Sequence, residues 1–383
     1  MTTLIDEEQR QRLLAYWGPA LAAGFCAWLA FMLYGKTPLI RASGLALVIV
    51  GVALTLRPWG ALLSFLGVMA FAFSPAFWSQ TGGADSLSLP AVLGAGVLAI
   101  LGVLLAQRLL QRRALALVIG LVIFSLLFLL VVGKPGSLRL TTLLAAWVLF
   151  LLCDAILVTN PRPDEAAPGN LRARHTAGLL LLLVVGVLND PLFALLMPAV
   201  LLALFLSHAR LPRWYWALLL GVLAFGSYGI AVEYMDSGWW LYPAAQAEAL
   251  GYRTPNMIAD GWRAPARWLY LFGMIIEQFT PFGLALGVLG LARMSRWYPP
   301  LGVTLMVAYA TYFVFGLVYF GRDSAVLLLP LLMIQAVWIT YAVHAFGHWL
   351  QRSASRHEAV RWLAPAVFTL LPLFLFLRVM GIL

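Results

Sequence analysis

Apolar stretches of about 20 residues recur along the whole chain, and each is bounded by arginine, proline or glycine. A helix of that length matches the hydrocarbon thickness of a bilayer, and it satisfies its own backbone hydrogen bonds there. Only 10% of the 383 residues are charged, against about 25% in ordinary soluble domains. The pattern predicts an all-α integral membrane protein, a polytopic bundle of about 11–13 transmembrane helices.

We expect a single transmembrane domain over residues 1–383. The first apolar stretch follows Arg12 and runs to Tyr34, which is too long for the apolar part of a cleavable signal peptide. The longest connections are predicted at residues 159–175, a cytoplasmic linker, and 233–265, an outer loop. The expected spans lie near residues 14–33, 43–56, 59–77, 87–106, 114–132, 141–158, 177–188, 192–206, 214–232, 268–291, 301–320, 325–346 and 362–378.

The net charge of +10 is divided unevenly between the predicted connections. When the spans are threaded alternately from a cytoplasmic amino terminus, sixteen of the 25 lysines and arginines fall on the cytoplasmic side and nine on the other. This bias follows the positive-inside rule, so the charge indicates topology rather than nucleic-acid binding. We therefore expect a multi-pass protein of the bacterial inner (cytoplasmic) membrane, surrounded by membrane lipid and without a nucleic-acid partner.

Residues 177–206 are almost continuously apolar and are interrupted at Asn189-Asp190-Pro191. A single helix of about 30 residues would be about 45 Å long, which exceeds the hydrocarbon core. Proline also disfavours helical backbone at the residue before it. We expect two short helices that meet at a turn near the outer face.

The predicted outer loop 233–265 combines aromatic residues with carboxylates. Such a loop suits a sugar or a lipid head group, and it suits an aromatic belt at the membrane interface equally well. Its members are Glu233, Asp236, Trp239, Trp240, Tyr242, Glu248, Tyr252, Arg253, Asp260 and Trp262.

Two acids fall inside predicted spans, where an ionisable group is costly and is therefore a candidate for function. Glu277 lies about ten residues into its span, and Pro281 one turn later predicts a polar break in the helix. Its carboxylate either faces an internal cavity or is a structural group that is protonated or paired with arginine. For Asp154, near the inner end of its span, the expected role is structural: its side chain snorkels to the interface or pairs with a cytoplasmic arginine.

Several acids map to the outer side of the predicted bundle. If they converge, they form a site for a divalent cation, Mg²⁺ or Mn²⁺, or supply a base toward a sugar acceptor. The alternative is a set of separate, solvated loop acids. The residues are Asp85, Asp190, Glu233, Asp236 and Asp323.

His344 and His348 are four residues apart and share one helix face, which permits metal or haem ligation. Packing at the membrane interface is the alternative, since no other predicted span carries a second histidine pair for a four-helix haem site. Cys26 and Cys153 fall in predicted spans and are expected to be small apolar core residues. We assign no metal ligands from these residues.

Four stretches, taken in chain order, carry a family resemblance. Residues 74–80 read Ser-Pro-Ala-Phe-Trp-Ser-Gln and are followed by Asp85; residues 186–206 contain the break at Asp190 and the triplet Met-Pro-Ala. The third stretch is Glu277-Gln278-Phe279 with Gly287 and Gly290, and the fourth is Tyr319-Phe320-Gly321-Arg322-Asp323 with Leu328-Leu329-Pro330. Together they resemble the GT-C-type membrane glycosyltransferases, most closely the bacterial protein O-mannosyltransferase-like family DUF2723. The first stretch looks like that family's SP-x-FW-x-Q segment, and the last like its Tyr…Asp…Leu-Pro pattern.

The resemblance implies a GT-C-like fold, a polyprenyl-phosphate-linked sugar as donor, and inverting transfer on the extracytoplasmic face. With the arguments above, it makes Asp85 and Glu277 the candidate catalytic residues. The candidate substrate-binding residues are Gln80, Asp190, Glu233, Asp236, Trp239, Trp240, Tyr242, Arg253, Arg322 and Asp323.

The chain departs from the family in its first outer connection. There the family has a catalytic aspartate in a DSGEF-like motif, but Gly35-Lys36-Thr37-Pro38 is short and contains no acid. Either Asp85, with Asp190 or Asp323, has taken over as base, or the chain keeps the scaffold without the chemistry. The functions left open are glycosyl transfer, a non-catalytic membrane subunit that binds lipid or a partner complex, and a transporter with its broken hairpin near the midplane.

Overall fold

A computed structural model describes residues 7–82, 89–110, 116, 119–120, 123, 138–161, 169–207, 211–230, 263–319, 324–353, 360 and 362–383. These residues form helices and their connections, with no strand among them. The helices are α1 (Glu7–Leu33), α2 (Leu39–Leu56), α3 (Ala61–Ala72), α4 (Pro75–Trp78), α5 (Leu89–Leu110), α6 (Leu138–Thr159), α7 (Ala173–Asn189), α8 (Met197–Leu206), α9 (Arg213–Ile230), α10 (Pro265–Trp297), α11 (Pro299–Val318), α12 (Ser324–Leu327), α13 (Leu329–Ser353), α14 (Leu363–Phe368) and α15 (Leu370–Val379).

Six helices within the described ranges are long and apolar enough to cross a membrane. Shorter apolar helices, such as α3 and α8, lie between them. The structure thus confirms an all-α membrane bundle, whereas the number of crossings and the GT-C likeness stay predictions. The six segments are Ala15–Leu33, Leu39–Trp59, Leu140–Thr159, Pro265–Trp297, Pro299–Val318 and Leu329–Ser353.

Helix α13 forms the centre of the bundle, and it is the most buried of the six long helices. It packs against α10, α11, α3 and α14. The residues from Leu329 to Val343 are buried on every face of the helix. A helix that is apolar all round belongs in the interior of a large bundle, and α13 takes that place.

The predicted span at residues 59–77 is not a single helix. Gly60 has a φ of 104°, a backbone conformation that favours glycine, and it separates the 3₁₀ turn Arg57–Trp59 from α3. At the other end, Ser74 is extended before Pro75, which opens the one-turn helix α4. Glycine permits the first interruption, and the restriction that Pro75 places on Ser74 favours the second.

The predicted break near Asn189 is present. Helix α7 ends at Asn189, Asp190 is extended with φ −154° and ψ 117°, and the 3₁₀ turn Pro191–Leu196 leads into α8. The turn folds back on α7. The ring of Phe193 fills the space where a side chain at Gly186 would lie.

Helix α10 is also broken where Pro281 predicted it. Thr280 adopts φ 65° and ψ 165°, outside the helical region, and the helix resumes after Pro281. Beyond the break, glycines let α10 approach α13 closely, because a Cβ at Gly287 or Gly290 would clash with Gln335 or with the backbone of Trp338.

Connections that the alternating topology assigns to the same side of the membrane contact one another. At one end, which we call the Thr37 end, Gly82 N donates to Thr37 Oγ1 (3.1 Å). At the opposite, Asn160 end, the Tyr298 hydroxyl donates to the Asn160 carbonyl oxygen, and Asn160 Nδ2 donates to the Leu206 carbonyl oxygen (3.3 Å). Which end faces the cytoplasm stays a prediction.

Candidate functional site

The one-turn helix α4 is joined to the break in α10 by a buried side chain. Ala76 N donates a hydrogen bond to Gln278 Oε1 at 2.6 Å, across 202 residues of sequence. The first N–H groups of a helix have no partner within the helix, and in α4 Gln278 accepts from one of them. Two of the four stretches that carry the family resemblance are therefore in direct contact.

Glu277 is the residue before Gln278. Its backbone carbonyl and its side-chain carboxylate have different surroundings. Pro281 has no N–H, so the carbonyl of Glu277, four residues earlier, cannot accept its usual helical hydrogen bond. Arg378 Nη1, from α15, donates to that carbonyl oxygen at 2.7 Å instead. The carboxylate itself is exposed at the surface of the bundle. The catalytic assignment of Glu277 stays a prediction.

Gln80 lies in the turn after α4 and is half-buried. At its far end the turn is fixed to the first connection by the bond from Gly82 N to Thr37 Oγ1, and to the start of α2 by Arg41 Nη1, which donates to the Gly82 carbonyl oxygen. Thr81 packs so closely on Gly35 that a Cβ there would lie 2.9 Å from the Thr81 Cβ. The short first connection, which lacks the family's acid, thus anchors the segment that leads to Asp85.

Asp190 is buried and acts as a helix cap. Its Oδ1 accepts from Leu192 N (2.9 Å) at the start of the 3₁₀ turn, and its Oδ2 accepts from the Thr141 hydroxyl (3.3 Å). Asn189 Nδ2 donates to the same Thr141 oxygen at 2.7 Å. These bonds give both carboxylate oxygens a structural partner.

Arg267 is a buried charge whose role the sequence did not reveal. Its guanidinium donates to the carbonyl oxygens of Gly316 (2.7 Å), Leu317 (3.0 Å) and Tyr319 at the end of α11. A cation is favourable there, because the carbonyls at a helix carboxyl terminus are unpaired and carry partial negative charge. The only sequence signal was an arginine two residues after the helix-starting Pro265.

At the Asn160 end, Asp154 pairs with a histidine, and its expected pairing with an arginine stays a prediction. His175 Nε2 lies 2.9 Å from Asp154 Oδ2, and both residues are buried. His175 Nδ1 accepts from Arg172 N (3.3 Å) in a capping arrangement at the start of α7. This pair joins α6 to α7 and leaves Asp154 in a structural role.

The histidine pair also lies toward the Asn160 end. The rings of His344 and His348 are in edge-to-face contact with centroids 4.6 Å apart, beside the start of α3. Among the described residues, no three His, Cys, Asp or Glu side chains come together as metal ligands. Cys153 is buried as expected, whereas Cys26 is exposed on the outside of the bundle.

The other predicted site residues lie outside the described ranges, and their assignments stay predictions. They include the second catalytic candidate and the whole aromatic outer loop. These residues are Asp85, Glu233, Asp236, Trp239, Trp240, Tyr242, Arg253, Arg322 and Asp323.

The joint between α4 and α10 can be tested on its own. Replacing Gln278 with leucine leaves Ala76 N–H buried without an acceptor, which costs about 1–3 kcal/mol. We expect a lower unfolding midpoint in a denaturing detergent titration, and faster thiol labelling of a cysteine at the exposed Ser79. Gln80→Leu in the next turn is the matched control, and an equal effect of both substitutions would contradict this account.

The comparisons with known proteins give no relative. No family model, no curated protein and no solved structure matches this sequence. The likeness to GT-C enzymes therefore remains an expectation that rests on the four motif stretches.

Proposed function

We propose that the protein is a GT-C-like membrane protein that transfers a sugar from a polyprenyl-phosphate carrier at the Thr37 end. The contact between Ala76 and Gln278 carries the proposal. It joins the Ser-Pro-Ala-Phe-Trp-Ser-Gln segment to the Glu-Gln-Phe segment, which the resemblance would place in one site. Glu277, which is exposed, is the residue before Gln278 in this contact.

Inverting transfer requires a carboxylate close to the attacking oxygen. Glu277 or Asp85 would accept the proton of the acceptor hydroxyl as its oxygen forms the new glycosidic bond. The bond from the anomeric carbon to the carrier phosphate breaks in the same step, and polyprenyl phosphate leaves with the electron pair. A carrier lipid reaches such a site from the bilayer, which suits the exposed position of Glu277.

Arg378 supports the proposal because it supplies a cation at the same break. One of its N–H groups bonds to the Glu277 carbonyl oxygen, and the side chain is half-buried. A guanidinium has five N–H donors, so others can bind a phosphate, which pairs well with arginine. The carbonyl bond holds this cation at the backbone of Glu277.

A non-catalytic membrane subunit that binds lipid or a partner complex is the second candidate. Asp190 favours it, because both oxygens of this candidate acid are used as a structural cap. The first outer connection, which contains no acid, is likewise used to anchor the turn at Gly82. Under this alternative the protein binds the carrier but does not release its sugar.

The two candidates are separated by measuring binding and chemistry on the same sample. In nanodiscs, the wild-type protein should bind a short-chain polyprenyl-phosphate mannose and release mannose from it to water or to an acceptor. Arg378→Gln keeps a donor for the Glu277 carbonyl but removes the charge, so binding should weaken about tenfold. Glu277→Gln and Asp85→Asn should spare binding and reduce release.

The matched control is Arg296→Gln, an exposed arginine at the other end of α10. It should change neither binding nor release. Wild-type protein that binds no polyprenyl-phosphate sugar, with or without Mg²⁺ or Mn²⁺, would refute the proposed sugar transfer and would leave the second candidate only as a subunit that binds another lipid or a partner complex. Binding without release, unchanged by Glu277→Gln and Asp85→Asn, would establish the non-catalytic alternative.

A further inference from the structure

An apolar groove of about 540 Å³ runs along the outside of the bundle between α10, α13 and α14. Its walls include Phe282 and Leu289 of α10, Phe346 of α13 and Val367 of α14, all of which are exposed. The volume falls within the range of small-molecule sites, about 300–1,000 Å³. In a membrane protein, an exposed apolar concavity of this kind faces hydrocarbon chains rather than water.

The groove has the length of one leaflet. On α10 its lining residues Phe282, Leu286, Leu289 and Arg293 follow one another at intervals of four, three and four residues, so they form one stripe along the helix. Phe282 and Arg293 are eleven positions apart, about 16 Å at 1.5 Å per residue. Half of the hydrocarbon core is about 15 Å thick. A groove that begins near the midplane therefore reaches the head-group level at Arg293.

Aromatic residues mark the same level. Trp297, one turn beyond Arg293, is exposed, and so is Trp349 near the end of α13. Trp349 stacks on Phe346 of the groove wall, with ring centroids 5.4 Å apart. Tryptophan concentrates at membrane–water interfaces, because its ring is apolar and its N–H is polar. The Arg293 end of the groove thus lies where lipid phosphates lie.

Among the described residues that line the groove, Arg293 is the one that carries a charge. Its side chain is exposed, and no carboxylate of the described residues forms an ion pair with it. A guanidinium at the head-group end of an apolar channel complements a molecule with a hydrocarbon chain and a terminal phosphate. A zwitterionic lipid also carries a phosphate, but its head-group cation offsets that negative charge beside the guanidinium.

We propose that the groove is a binding site for an anionic phospholipid, with one acyl chain between α10, α13 and α14 and the head-group phosphate on Arg293. The lipid comes from the leaflet at the Asn160 end, since α10 ends there. The site lies on the other side of the break at Thr280 from Glu277, and it does not rest on the proposed glycosyl transfer. A bound lipid would also cover the seam where α14 packs on α13.

Native mass spectrometry of the detergent-purified full chain tests the site, with phosphatidylglycerol and phosphatidylcholine added at equal concentration. We expect the first phosphatidylglycerol to bind about tenfold more tightly than phosphatidylcholine. Arg293→Gln should abolish this preference. Arg296→Gln, one turn further along α10, should preserve it, because Arg296 does not line the groove.

A second variant tests the part of the groove that binds the acyl chain and leaves Arg293 unchanged. Leu289 is exposed, so Leu289→Trp is compatible with the fold and fills the groove; it should weaken binding of both lipids. Equal wild-type affinity for the two lipids, or a preference that survives Arg293→Gln, would overturn the proposal. Displacement of the lipid by inorganic phosphate at the same concentration would overturn the assignment to a phospholipid.

Discussion

Replacing Gly290 with alanine is expected to lower the free energy of unfolding by about 2–3 kcal/mol, the upper part of the range for overpacking a well-packed core. A Cβ at this position would lie well inside van der Waals contact with the carbonyl oxygen, carbonyl carbon and Cα of Trp338. These are backbone atoms of the central helix, so no change of rotamer relieves the clash. The two helices must move apart, and the buried contacts between α10 and α13 loosen along their length.

Gly273 provides the matched control on the same helix. A Cβ there meets nothing within 4 Å, so alanine causes no clash. Alanine favours a helix interior over glycine by about 1 kcal/mol, so Gly273→Ala should be neutral or slightly stabilising. Unfolding in a denaturing detergent, followed by tryptophan fluorescence, would compare the two variants. If Gly290→Ala were as stable as Gly273→Ala, the proposed close packing would be wrong.

The sequence predicted the breaks in this fold where local chemistry decides them. Proline lacks an N–H and restricts the residue before it, and so Pro191 and Pro281 marked breaks that the structure has. The turn at Gly60 lies beside the connection predicted between the spans at residues 43–56 and 59–77. The break at Ser74 was missed, because the predicted span continued through it to residue 77. Mean hydropathy over a window cannot separate that case from a continuous span.

Tertiary partners could not be predicted in the same way. Asp154 was expected to snorkel or to pair with an arginine, since arginines are abundant near its end of the span, and its partner His175 is brought to it only by the packing of α6 against α7. Gln278 was noticed only as a member of the third motif stretch, and its contact with Ala76 depends on a fold that joins positions 202 residues apart. Of the candidate site, the sequence identified Glu277 and Gln80 but gave no signal for Arg378.

Arg267→Met is expected to lower the free energy of unfolding by about 3 kcal/mol or more, the range for removing one partner of a buried charged hydrogen-bond network. Methionine keeps the apolar stem but removes every donor. The carbonyls of Gly316, Leu317 and Tyr319 then lose their bonds to the guanidinium at the end of α11. Water cannot replace those bonds at a buried position. The free energy of unfolding therefore falls by the full cost of burying carbonyls without donors.

The loss of stability should also appear as local opening, because Arg267 binds the Tyr319 carbonyl oxygen at the start of the connection between α11 and α12. At the end of the connection, the Tyr270 hydroxyl and Ser324 Oγ are hydrogen-bonded at 2.7 Å. A cysteine at Ser324, which is buried, should therefore label faster in the Arg267→Met background than in the native one.

Two further variants separate the geometry of the arginine from its charge. Arg267→Lys retains the charge but cannot span three carbonyl oxygens with a planar fork, so it should recover only part of the stability. Arg296→Met removes an exposed arginine from the same helix and should change stability by less than about 0.5 kcal/mol. Full recovery by lysine would show that charge alone is needed, and the three-carbonyl clamp would then not be the source of the stabilisation.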